Sequence, residues 1–179
     1  MVLGAGRDMD SLFAVTVGTS IGGAFIEKGH ILHGACRSAG EIAYMRVPAG
    51  RLHDVASATY LCREMACKKA ADPEKVDGRI CFTWVRQGDA TAAAVLDTFC
   101  QNLADGLANI DCLCNPDGIV LGGGIMAQED ILRPKLETAL AARLPAMMLP
   151  PKGLVFAKRQ NDAGMLGALY LLLHRNGSY

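Results

Sequence analysis

Two glycine-rich turns, each directly after a short apolar run, carry the residues best suited to chemistry in this chain. The first is Gly18-Thr19-Ser20-Ile21-Gly22-Gly23, after Leu12 to Val17; the second is Gly122-Gly123-Gly124-Ile125, after Ile119-Val120-Leu121. A turn poor in side chains exposes backbone N–H groups, and phosphate oxygens accept from them at close range. In open α/β sheets, ligands lie beyond the carboxyl ends of the strands. Thr19 and Ser20 add a pair of hydroxyls to the first turn. Neither turn runs into Gly-Lys-Ser/Thr, so neither is a P-loop, and neither has dinucleotide spacing with a helix opening at once. Alone, each reads equally well as a tight turn.

The elements that must hold these turns are legible from periodicity and punctuation. Leu12 to Val17 is apolar and β-branched, and reads as a buried strand; Ala24-Phe25-Ile26 returns, Glu27 to His30 turns again, and Ile31-Leu32-His33 forms a third strand. Leu52 to Lys69 lacks Gly and Pro and reads as one helix, stopped before Asp72-Pro73. Phe82 and Trp84 read as core residues in a short segment between helices. A longer helix spans Thr91 to Leu113, with Val95, Phe99, Leu103, Leu107, Ile110 and Cys114 on one apolar stripe. Gly106 within it costs ~1 kcal/mol unless a close neighbour needs the space. Asn115 to Gly118 ends that helix, and Ile119-Val120-Leu121 is a short strand. A helix from Glu129 to Leu144 follows, with Pro134 placed near its first turn, where proline is tolerated. Met147-Met148 reads as an apolar plug, Leu154 to Ala157 as a last strand, and Asp162 to His174 as a final amphipathic helix. An antiparallel meander followed by alternating helices and strands is an α/β fold with a mixed sheet.

The chain has 179 residues, 51% hydrophobic and 20% charged, the profile of one packed domain or slightly more. Its 18 basic side chains balance its 18 acidic ones, which argues against a nucleic-acid or anionic-membrane surface. No apolar run reaches the ~20 residues that span a membrane, and no signal segment opens the chain. Seven cysteines without a regular spacing suggest reduced thiols and a cytoplasmic location. Cys112 and Cys114 form the one close pair and lack further ligands for zinc.

Four ordered stretches together resemble the ROK family of repressors and sugar kinases. Val15 to Gly23 is similar to its phosphate turn, Gly34 to Ile42 to its sugar-side segment, Asn115 to Ile125 to its adenosine-side strand and turn, and Asp162 to Ala168 to the opening of its terminal helix. The resemblance implies an actin-like, ribonuclease-H-like fold, with this chain as a single carboxyl-terminal domain (1–179) and the amino-terminal domain absent from it. It implies that Gly18, Thr19, Gly22 and Gly23 meet the transferred phosphate of ATP, accompanied by Mg²⁺, and that Gly122, Gly123 and Gly124 lie against the adenosine. It assigns Glu41 to sugar hydroxyls; His53, standing where many members carry a sugar-binding Glu, reads equally as a sugar contact or as a plain helix-start residue, and Tyr44 as packing or as a stack against the sugar. Asp54 to Thr59 continues the pattern of the zinc-less β-glucoside and glucose kinases.

The departures from the family pattern matter as much. Zinc-binding members carry a His where this chain has Tyr44, followed by a Cys-rich loop, whereas Arg46 to Arg51 holds no Cys; no zinc is expected. The family's Asp-Gly-Gly-Thr loop and its Asn-Asp pair, whose Asp is the catalytic base, would precede Met1. Asn161-Asp162 spells the same pair, but its surroundings match the terminal helix, where Asp162 reads as a cap. The expectation is therefore part of an ATP-dependent sugar kinase, inactive or nearly so in isolation. The rivals are the sugar-sensing domain of a ROK repressor and a dimerisation module; a homodimer is expected, with no nucleic-acid or membrane contact from this chain.

Overall fold

The structure, a computed structural model, describes residues 4–157. Strand β1 (Ser11–Val17) turns back into β2 (Ile21–Glu27), and β2 into the two-residue β3 (His30–Ile31). A loop carries the chain to a small hairpin, β4 (Arg46–Val47) with β5 (Gly50–Arg51), and then to helices α1 (Leu52–Ala56), α2 (Ala58–Lys68) and α3 (Gly78–Arg86). The long α4 (Ala90–Cys114), β6 (Gly118–Gly122), α5 (Glu129–Ala141) and β7 (Leu154–Phe156) complete the described part. The main sheet has the order β3-β2-β1-β6-β7: β1 is antiparallel to β2, and parallel pairing joins β1 to β6 and β6 to β7. This is the mixed sheet that the meander and the later alternation imply.

Alternation along the strands sets the core. Phe13, Val15 and Val17 of β1, Ile119 and Leu121 of β6, and Leu154 and Phe156 of β7 are buried in one cluster with Leu96, Phe99, Leu103 and Leu107 of α4 and Leu132 and Leu136 of α5. The α4 stripe is thus placed as its spacing predicts. Gly106 has its close neighbour: a Cβ there would sit 2.7 Å from Leu52 Cδ1, so the glycine admits α1 against α4. Asp89 caps α4 by accepting from Ala92 N and pairs with Lys69; Asn115 closes it in the left-handed region at φ +40°. Arg133 ties α5 to β7, donating to Leu154 O at 2.8 Å with its guanidinium 4.9 Å from the Phe156 ring.

Several boundaries differ from the sequence expectation. The run Leu52 to Lys69 is two helices, because Ser57 is extended (ψ 163°) and its hydroxyl accepts from Tyr60 N at 3.1 Å, capping α2. Phe82 and Trp84 lie in a capped helix, α3, with Asp77 accepting from Ile80 N. Pro134 is inside α5, beyond its first turn. The third strand ends at Ile31, and the last at Phe156. Met147 is 92% exposed, so it plugs nothing within the described residues. The expected helix from Asp162 to His174 lies outside them.

Asn102 of α4 is buried and donates from Nδ2 to Val55 O at 3.0 Å, satisfying the end of α1. Asn102→Ala leaves that carbonyl unpaired, and a loss of about 1–3 kcal/mol in urea unfolding is the expected outcome.

Candidate functional site

The parallel register pairs Thr16 with Gly122, so β1 and β6 end side by side and release their turns at the same edge of the sheet. The turns touch. Gly123 has φ +104°, and a Cβ there would lie 2.2 Å from Val17 O, inside any permissible contact. The first turn is shorter than its glycines suggest. It comprises Gly18, Thr19 and Ser20, closed by Gly18 N donating to Ser20 O at 2.9 Å. Gly22 and Gly23 belong to β2 instead, opposite Thr16 and Val15.

The break at Ser57 explains what holds this turn. The first N–H groups of a helix have no partner within it, and Ala58 N donates outward to Gly18 O at 2.9 Å. Thr59 Oγ1 donates to Thr19 O at 3.0 Å, and Ser20 Oγ shares a hydrogen bond with His53 Nδ1 at 3.0 Å. The start of α2 and the second residue of α1 therefore back the turn, while Thr19 and Ser20 remain exposed at its tip. Beside His53, the Arg51 guanidinium 2.7 Å from Asp54 holds that carboxyl below its usual range.

Gly23 has a packing role. A Cβ on it would be 2.7 Å from Gly40 O, and one on Gly40 (φ +91°) would be 2.5 Å from Gly23 O. Two backbones thus pass without side chains between them, which seats the Gly34–Ile42 segment on β2. Glu41 follows at once with its carboxylate exposed, and Ile42 and Ala43 are buried beneath it. Tyr44 is 71% exposed among the described residues.

Thr16 joins the candidates: it lies within the Val15–Gly23 stretch, but the sequence reading did not single it out. It is exposed on the central strand, its Oγ1 would be 2.9 Å from a Cβ on Gly22, and Gly122 is its partner on the other side. Glycine on both flanks leaves the hydroxyl in a shallow bay next to both turns. The alternation of Ala14 and Thr16 against Val15 and Val17 was a signal for its outward direction, but its glycine neighbours depend on strand order.

Two open concavities of ≈ 580 and ≈ 510 Å³ lie between α2 and α4 and between α4 and α5, and touch neither turn. Among the described residues, no group of three or more His, Cys, Asp or Glu gathers to hold a metal ion. No helix among them is long and apolar enough to cross a membrane.

A central antiparallel pair extended by parallel strands, with glycine turns at one edge and helices behind, is the actin-like α/β arrangement. A ROK hexokinase from Thermus thermophilus superposes with a TM-score of 0.84 at 27% identity, over 97% of this chain and 61% of that one. The family model described as the ROK family matches residues 1–175, and the chain belongs to that family. An uncharacterized protein of Clostridium perfringens is 42% identical over 167 residues, covering 93% of this chain and 57% of that protein. A glucokinase of Thermotoga maritima is 30% identical over 195 residues, covering 97% of this chain and 62% of that protein. The chain thus spans about three fifths of the length of these relatives.

Proposed function

We propose that this chain is the carboxyl-terminal part of a ROK-type sugar kinase, supplying the nucleotide side and one wall of the sugar site. The observation that carries this reading is the contact of two glycine turns at the carboxyl ends of adjacent parallel strands, β1 and β6. The residues present fit a magnesium nucleotide. The Thr19 and Ser20 hydroxyls are exposed at one turn, and Gly124 and Ile125 open a short helical turn at the other. Bound ATP supplies the transferable phosphoryl group, and its metal neutralises the phosphate charge. Thr19, Ser20 and Thr16 orient phosphate oxygens, and Gly122 to Gly124 leave room for the adenosine.

Glu41 and His53 serve the sugar side in this reading. A carboxylate can accept from two adjacent sugar hydroxyls. His53 has one ring nitrogen committed to Ser20 and a second available, so it links the sugar side to the phosphate turn. The base that takes the sugar proton would come from outside this chain, and the chain alone would release no ADP above background. The relatives named as hexokinase and glucokinase support a hexose as the acceptor; a β-glucoside fits the same reading.

Calorimetric titration of the full chain with a non-hydrolysable ATP analogue and Mg²⁺ tests the nucleotide side. Binding is expected, and Thr19→Asp should weaken it by about tenfold or more, because a carboxylate then faces phosphate oxygens at short range. Wild-type affinity in Thr19→Asp would overturn the assignment of this turn.

A further inference from the structure

Cys62 on α2 and Cys81 on α3 bring their sulfurs within 3.9 Å of each other, although neither turn of the site uses them. The two thiols are unequal. Cys62 is partly exposed, whereas Cys81 is fully buried behind it, packed in the same cluster as Leu61 and Phe82. Cys81 Sγ donates to Cys62 Sγ, an arrangement that favours the thiolate at Cys62. The Cys62 thiol is accordingly lowered by that hydrogen bond, and Cys81 is raised by the same bond and by burial. The contrast with Cys100 is instructive: it is buried, burial pushes it up to about 12, and no second thiol is paired with it among the described hydrogen bonds.

We propose that Cys62 and Cys81 form a reversible thiol–disulfide pair, in which Cys62 reacts with a low-molecular-weight disulfide and Cys81 resolves the product. The Cys62 thiolate attacks one sulfur of the external disulfide; a mixed disulfide forms, and the other sulfur leaves as a thiolate that solvent protonates. Cys62 then carries no negative charge to hold the Cys81 proton. The Cys81 sulfur attacks Cys62 Sγ and expels the second external sulfur, which leaves carrying the Cys81 proton as a neutral thiol. The two cysteines lose two electrons and two protons, and the external disulfide becomes two thiols.

Position gives the bond a consequence. Cys62 lies one helical turn beyond Thr59, whose hydroxyl holds the Gly18–Ser20 turn. The disulfide would pin α2 to α3 immediately behind that turn.

The test is exposure of the full chain to oxidised glutathione at neutral pH, followed by alkylation of the remaining thiols and peptide mass mapping. The expected product is a Cys62–Cys81 cross-link that dithiothreitol removes. Cys81→Ser should stop at glutathione on Cys62. In Cys62→Ser, loss of the free Cys81 thiol should slow by about tenfold or more, since a buried thiol reacts poorly by itself. The exposed Cys36, Cys67 and Cys112 serve as internal controls for reagent access. Glutathione on those three with no Cys62–Cys81 cross-link in the wild-type chain would overturn the proposal, as would wild-type reactivity of Cys81 in Cys62→Ser.

Discussion

Gly123→Ala is expected to destabilise this chain strongly. The position has φ +104°, where an L side chain costs roughly 1–2 kcal/mol. The new Cβ would also lie 2.2 Å from Val17 O and 2.8 Å from Val17 N, both backbone atoms of the central strand. A flexible side chain could swing aside; a strand backbone paired on both edges cannot, and overpacking of that kind adds about 1–3 kcal/mol. Gly106→Ala offers the contrast, because its clash is with the end of the Leu52 side chain. Urea unfolding of the two variants should therefore rank Gly123→Ala well below Gly106→Ala. If Gly123→Ala matches the wild type, the two turns do not pack as described. Loss of nucleotide binding should accompany the destabilisation, since both turns are displaced together.

Asp111→Leu should act in the opposite direction and raise stability at neutral pH. Asp111 lies in the last turn of α4, is 2% exposed, and neither of its carboxylate oxygens has a partner among the described residues. A negative charge at a helix carboxyl end is unfavourable as well. Burial lifts the Asp111 carboxyl above its ordinary value, so the folded chain holds this proton more tightly than the unfolded chain does. The contribution of Asp111 to stability therefore falls as pH rises from the ordinary aspartate value through the raised folded value. Removing the carboxylate should recover about 1–3 kcal/mol above that window. Below the ordinary value both states carry the proton, and most of the gain should vanish. Denaturant melts of wild type, Asp111→Leu and Asp111→Asn at neutral and acid pH check this. A pH-independent difference would remove the unpaired carboxylate as its cause.

What the sequence made legible was the content of the elements, and what it concealed was their junctions. β1, β6 and the α4 stripe follow from apolar spacing, because a buried strand or helix face leaves a periodic trace. The division of Leu52–Lys69 left none: no Gly or Pro marks it, and Ser57 breaks the helix only by turning its hydroxyl onto Tyr60 N. Gly22 and Gly23 misled for the opposite reason. Glycine signals a turn only when φ demands it, and here it serves close passage of Gly40 and room for Thr16. The meeting of His53 with Ser20 spans 33 residues and depends on how α1 leaves the β4–β5 hairpin. Thr16 required strand order before its neighbours were known. Asp111 is next to Ile110 on the stripe, and composition cannot say that its flank is covered.

The order of strands in the sheet has a consequence for how this chain is made. β1 occupies the middle of the sheet, yet its parallel neighbour β6 emerges late: Asp117, which accepts from the Asp10 and Ser11 amides, lies 107 residues beyond Asp10. At roughly 5–20 residues per second of synthesis, that interval lasts on the order of 5–20 s. Throughout it the β1–β2 hairpin has one bare edge, and an unpaired apolar edge invites pairing with another chain. The glycine contact between the two turns cannot form until the gap closes. A ribosome stalled before Gly118 would hold a hairpin with one unpaired edge, so slower translation across α4 is expected to lower the yield of folded protein.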